Sequence, residues 1–141
     1  MRALSRQGPD VLRAALDAID PHSLVRLQHD WLPRAPDDQP PPALASSGTP
    51  WSTWLVLGGR GAGKTRTGAE WIRARALGLE GFGEPARRLA LVGETIGQVR
   101  SVMVEGISGL LGVHAPAERP QLVAARNEIV WPNGAMAQMF A

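Results

Sequence analysis

The chain has 141 residues, 44% of them hydrophobic, and 15 Lys and Arg against 13 Asp and Glu give it a net charge of +2. That length suits a small domain with a modest core, and the absence of cysteine rules out disulfides, a thiolate nucleophile and cysteine-ligated zinc. No apolar run is long enough to span a bilayer, and Arg2, Arg6, Asp10 and Arg13 interrupt any signal-peptide core, so the expected location is the cytoplasm, with no membrane partner.

Residues 9–19 predict an amphipathic helix with Val11, Leu12, Ala15, Leu16 and Ile19 on one face. Asp20 as N-cap and Pro21 in the first turn announce a second helix carrying Leu24, Leu27, Gln28 and Trp31, which ends near Leu32-Pro33. His22 and His29 stand seven apart on or near it, a spacing that suits solvated surface histidines better than the i, i+4 pairs that bind metals. Residues 33–50 hold six prolines and read as a linker or as an extended segment lying across the next domain, with Pro40-Pro41-Pro42 in polyproline II. Trp51 and Trp54 flank the next apolar run, and either ring stacks on a base or packs into the core.

That run, Trp54 to Leu57, predicts a strand, and it leads into Gly58-Gly59-Arg60-Gly61-Ala62-Gly63-Lys64-Thr65. Gly58, Gly63, Lys64 and Thr65 satisfy G-x-x-x-x-G-K-[ST], the spacing of a phosphate-binding loop. The glycines let backbone N–H groups converge on an anion from conformations that side chains disfavour. A helix beginning at Lys64 adds its positive pole. Lys64 is the only lysine in a chain with fourteen arginines. Its ammonium is expected to reach the terminal phosphates of ATP, with the Thr65 hydroxyl on Mg²⁺.

In the helix that follows, Thr65, Gly68, Ala69, Ile72 and Ala76 form a face able to approach a sheet, and Gly78 ends it. Arg66, Glu70 and Arg73 are expected on the outer face, paired at i, i+4 and i+7 spacing. Leu89 to Gly93 reads as a buried parallel strand, and Thr95 with Gln98 forms a capping box for another helix, which Gly106 and Gly109 interrupt. His114 is expected in a surface loop. Leu122 to Ala125 and Glu128 to Trp131 are strand-like, Pro132-Asn133-Gly134 is a tight-turn signal, and Ala135 to Phe140 returns as a strand. The chain stops within that apolar stretch, which reads as a cut with an exposed sheet edge. The alternation of strands and helices predicts α/β architecture with a parallel sheet.

Charge is unevenly placed: residues 1–50 carry a net −1 and residues 51–141 a net +3, compatible with a polyanionic partner. All six aspartates, Asp10 to Asp38, precede the loop, so nothing after it supplies the aspartate that loop-type NTPases use to hold Mg²⁺.

The stretch Thr53 to Arg73 (TWLVLGGRGAGKTRTGAEWIR) resembles the phosphate-loop region of large terminase subunits, the DNA-packaging motors of tailed phages and gene transfer agents. Leu89 to Thr95, Val104 to Leu111 and Ile129 to Gly134 are similar to segments that follow in that family. The resemblance implies a RecA-like P-loop NTPase fold, ATP and Mg²⁺ as cofactors, and work in a bacterial host cell. It also implies double-stranded DNA, a portal protein and a small terminase subunit as partners, with a homo-oligomeric ring in the full-length protein. Carried over by position, Gly58, Gly59, Gly61, Ala62, Gly63, Lys64 and Thr65 bind phosphate. Arg60, four residues before Lys64, either acts in cis on the γ-phosphate or is a solvated loop arginine. The domain reading is a helical leader over 1–32, a proline-rich linker over 33–50 and the N-terminal part of an ATPase domain over 51–141. A Walker B Asp-Glu strand and a nuclease domain, which the family carries further on, are absent from this sequence. Two rival readings are a small-molecule P-loop kinase and a truncated, non-catalytic binding fragment.

Overall fold

The computed structural model describes residues 9–20, 23 and 29–141, except for the side chains of Leu12, Ala15 and Leu16. They fall into two compact units, Met1–Pro36 and Asp37–Ala141. In the first unit, helix α1 spans Pro9–Asp17, with Pro9 at its head, where a missing N–H costs nothing. The Asp20 carboxylate accepts a hydrogen bond from the Ser23 N–H at 3.0 Å, the cap expected for a second helix. Most of that second helix, His22 included, lies outside the described residues.

The second unit is a mixed α/β arrangement built on one four-stranded sheet. Helix α2 is Lys64–Leu77, and strand β1 is Arg88–Val92. A short turn, α3 (Ile96–Gln98), runs into a π-helical segment, Val99–Val104. Helix α4 (Leu110–Val113), a 3₁₀ turn at Pro116–Glu118, and strands β2 (Gln121–Val123), β3 (Glu128–Val130) and β4 (Met136–Phe140) complete it. The order across the sheet is β1-β4-β3-β2. β1 and β4 run parallel, with Arg88 opposite Met136 and Val92 opposite Phe140, whereas β4, β3 and β2 are antiparallel to their neighbours.

The sheet is therefore mixed, not parallel as the alternation of elements predicts. The turn at Pro132-Asn133-Gly134 is the reason, since a two-strand hairpin must return antiparallel. Gly134 supplies the positive φ of 84°. The Gly134 N–H donates to the Trp131 carbonyl at 3.0 Å, and Asn133 Oδ1 accepts from the Ala135 N–H at 3.0 Å. Asn133 Nδ2 also donates to the Ala76 carbonyl at 2.8 Å, tying the turn to the end of α2. The hairpin itself forms as the sequence predicts. Its second strand lies inside the sheet, so the sheet's edges are β1 and β2 and not the C-terminal strand.

β1 also departs from expectation. As an edge strand it leaves Ala90 and Val92 exposed and buries only Leu91. The run Trp54 to Leu57 has no regular secondary structure and belongs to no strand of the sheet. Trp54 and Val56 are half-buried, whereas Leu55 and Leu57 are 73% and 82% exposed. The two-residue period of a strand is there; a ladder partner among the described residues is not.

The core gathers Ala69, Ile72 and Ala76 of α2 against Leu91, Val99, Leu110, Ile129, Ala137 and Met139. Of the predicted small face of α2, Ala69, Ile72 and Ala76 pack inward, whereas Gly68 is exposed and Thr65 half-buried; Gly78 ends the helix at φ 71°. The outer face does not form as predicted. Glu70 and Arg73 are buried, because the 3₁₀ turn brings Glu118 over that side of the helix.

His114 likewise lies in the interior, not in a surface loop. The Trp131 indole N–H can only donate, so at 2.8 Å His114 Nε2 must accept, which leaves the proton on Nδ1 to donate to the Leu110 carbonyl at 2.6 Å. Burial pushes the imidazole pKa down from 6.5 to about 4, against a smaller upward pull from the Leu110 hydrogen bond. Because the folded state holds the ring neutral, its contribution is complete above the unfolded pKa of 6.5 and drains away as pH falls toward about 4. That linkage is worth about 3 kcal/mol in full and about 2 kcal/mol at pH 5. Thermal melts at pH 7 and pH 5 should show a larger drop in wild type than in His114→Gln; equal drops would contradict the buried neutral ring.

Candidate functional site: the glycine loop at the head of α2

Residues 58–63 join the run Trp54 to Leu57 to α2, whose first residues are Lys64 and Thr65. Gly61 and Gly63 both adopt left-handed backbone, φ 82° and 81°, conformations that a side chain would strain. Gly63 is the N-cap of α2 and offers no side-chain cap, so the first amides of the helix are free of a competing side-chain acceptor. The Gly63 carbonyl accepts from the Thr67 N–H at 2.9 Å, and the Gly59 carbonyl from the Ala62 N–H at 3.3 Å. No acidic residue sits in the first turn of α2, so its positive pole is not offset there.

Lys64 opens the helix, and its ammonium donates back across the loop to the Gly58 and Gly59 carbonyls at 2.6 and 2.7 Å. Those two bonds hold the cation against the loop, although the residue stays exposed. Thr65 is half-buried behind it. Arg60 is exposed at the tip. The predicted residues Gly58 to Thr65 form one contiguous stretch; Trp51 lies ahead of it in the chain. Its indole N–H donates to the Pro42 carbonyl at 2.6 Å, and its ring lies 6.3 Å from that of Trp54 at 49°.

Sequence reasoning missed Gln39. Its side-chain Nε2 donates to the Ala62 carbonyl at 3.1 Å, directly against the loop. The available signal was a lone amide side chain at the start of a proline run, which the proline content overshadowed.

Beside the loop, a groove of about 390 Å³ runs between α2 and β1, from Lys64 and Thr65 past Ala69, Ile72, Leu91 and Met103. Its walls are mainly apolar, so it offers little to phosphate, and the anion chemistry sits at the loop. Among the described residues no three His, Asp or Glu side chains converge on a metal position. Among them, too, no helix is long and apolar enough to cross a membrane.

One family model, "Terminase large subunit, T4likevirus-type, N-terminal", matches residues 55–141. The chain belongs to the large terminase subunit family. The terminase match takes in the loop, α2 and all four strands, and begins within the run that leads into the loop. Comparison with curated proteins and with solved structures finds no match.

Proposed function

We propose that this terminase chain is the ATP-binding part of a motor that drives double-stranded DNA into viral or gene-transfer-agent capsids, on a RecA-like P-loop fold. The observation that carries the reading is the loop itself. Two left-handed glycines lead into Lys64 at the head of a helix whose first turn holds no acidic residue. Backbone amides, helix pole and ammonium then present positive charge on one short stretch, the chemistry that a triphosphate requires.

In this reading Gly58 to Lys64 hold the phosphate chain and Thr65 is the magnesium ligand. Magnesium bound with ATP neutralises charge on the phosphates. Lys64 exchanges its two carbonyl partners for phosphate oxygens, a stronger charge-assisted bond. Arg60, exposed and without a fixed direction, is placed to swing toward the terminal phosphate and stabilise charge during transfer. The Trp51 indole N–H donates to Pro42 in the plane of the ring, which leaves stacking on a base to the ring's faces. A portal protein, a small terminase subunit and a subunit ring are the partners that this function requires, in the cytoplasm of a bacterial host.

Residues 39–141 hold no aspartate, so within this stretch only glutamates are available as a carboxylate for magnesium. Calorimetric titration of the 141-residue polypeptide with Mg²⁺ and ATP should show weak binding, and a phosphate-release assay negligible turnover. Steady-state hydrolysis at rates typical of a packaging motor would contradict this account.

A further inference from the structure

Strand β1 closes the sheet on one side, and its hydrogen bonds show which backbone groups are left over. The Arg87 carbonyl accepts from the Met136 N–H at 3.0 Å, and the Gly93 N–H donates to the Phe140 carbonyl at 3.2 Å. Backbone groups alternate sides along a strand, so the odd-numbered residues turn to β4. The N–H and C=O of Arg88, Ala90 and Val92 therefore turn to the open edge, where no strand meets them among the described residues. Such a row is a template for a further strand unless charge, proline or shortness blunts it. The opposite edge is blunted, since β2 is three residues long. β1 runs for five, carries a single charge at Arg88, and leaves Val92 63% exposed.

Charge picks the partner and the register. When two copies of β1 lie antiparallel about a two-fold axis, outward-turned residues must face outward-turned residues, so the axis passes at Ala90, Leu91 or Val92. With the axis at Leu91, Ala90 of one copy exchanges both backbone bonds with Val92 of the other, and Arg88 lies opposite Glu94 on the same face. Symmetry repeats both pairs. An axis at Ala90 sets Arg88 against Val92, and an axis at Val92 sets Glu94 against Ala90, so each loses the ion pair. Arg88 and Glu94 are both exposed, and neither has an ion pair within the chain among the described residues. Opposite charges facing across antiparallel strands are favourable, and like charges there are not. We propose that β1 is a self-association edge, on which a second copy of this chain adds its own β1 antiparallel about Leu91, with Arg88 of each copy against Glu94 of the other. The contact closes on two copies, so it is not the one that builds a ring, and it needs no nucleotide.

Sedimentation of the 141-residue chain across about 1–100 µM should show a reversible monomer–dimer equilibrium, the range expected of a small interface. Ala90→Pro removes an N–H that bonds nothing within the sheet, so the fold is kept while the ladder loses a donor in each copy. The dimer should weaken at least about tenfold. Arg88→Glu and Glu94→Arg each set like charges face to face and should each weaken it several-fold, and the two together should restore it. Circular-dichroism melts check that every variant is folded. A wild-type chain that stays monomeric throughout would overturn the proposal. Protection of the Ala90 and Val92 amides from hydrogen exchange in that monomer would show a segment of the same chain on the edge instead. A dimer that Ala90→Pro leaves intact joins elsewhere and overturns it equally. One that ignores charge reversal, or that the double variant does not rescue, overturns the register and the proposal with it.

Discussion

Arg73→Ala should lower the stability of the second unit by about 3–5 kcal/mol, the usual cost of stranding a buried charge. Arg73 is 6% exposed and lies between two carboxylates. Its Nη1 donates to Glu70 Oε2 at 3.3 Å and its Nε to Glu118 Oε1 at 2.7 Å. Glu70, 2% exposed, also takes two hydrogen bonds from Arg66, at 2.8 and 2.6 Å. Removing Arg73 leaves Glu70 buried with a single half-buried counter-charge. It also releases the 3₁₀ turn from α2, since Glu118 otherwise reaches only the Ala115 N–H at 3.3 Å. Chemical denaturation measures the loss directly. A double variant, Glu70→Leu with Arg73→Met, should recover most of it, because apolar groups of similar size carry no desolvation penalty. A single variant within about 1 kcal/mol of wild type would show that the network contributes little.

The second large effect concerns binding. Lys64→Ala should reduce affinity for ATP with Mg²⁺ by at least about 30-fold, corresponding to the loss of a charge-assisted hydrogen bond of about 2 kcal/mol or more. The ammonium already lies across the loop on two backbone carbonyls, within reach of whatever the loop holds. The variant also loses those two bonds, so its melting temperature must be compared with that of wild type, and Lys64→Arg separates charge from shape. Arg keeps the charge but presents a planar fork in place of a compact ammonium, so it should restore affinity only in part. Equal affinity in wild type and Lys64→Ala would remove Lys64 from the site.

Local signals in the sequence carry most of the second unit. The loop spacing, the small face of α2, Gly78 as its stop, the Thr95 cap, which accepts from Gln98 N–H at 3.1 Å, and the hairpin turn each rest on chemistry within a few residues. What the sequence hides depends on distant partners. Glu70 and Arg73 read as a solvated pair until Glu118, 45 residues beyond Arg73, closes over them. His114 reads as a loop residue until Trp131 donates to it across 17 positions. The run Trp54 to Leu57 has the composition of a strand, but pairing is a property of two segments, and no second segment meets it among the described residues. The parallel sheet fails for a related reason: which strands become neighbours follows from the fold's connections and not from the strands' own residues. At the site, the phosphate loop is legible because its function lies in contiguous backbone. Gln39 is not, because its partner, Ala62, is 23 residues away.

The central claim is that a triphosphate binds on the backbone amides ahead of Lys64. Two-dimensional NMR of the labelled chain, titrated with Mg²⁺ and a non-hydrolysable ATP analogue, reads those amides one by one. The largest shifts should fall on Gly59 to Thr65, with smaller ones along the first turn of α2. Saturable shifts confined to the apolar groove or the sheet, with the loop amides unmoved, would contradict it.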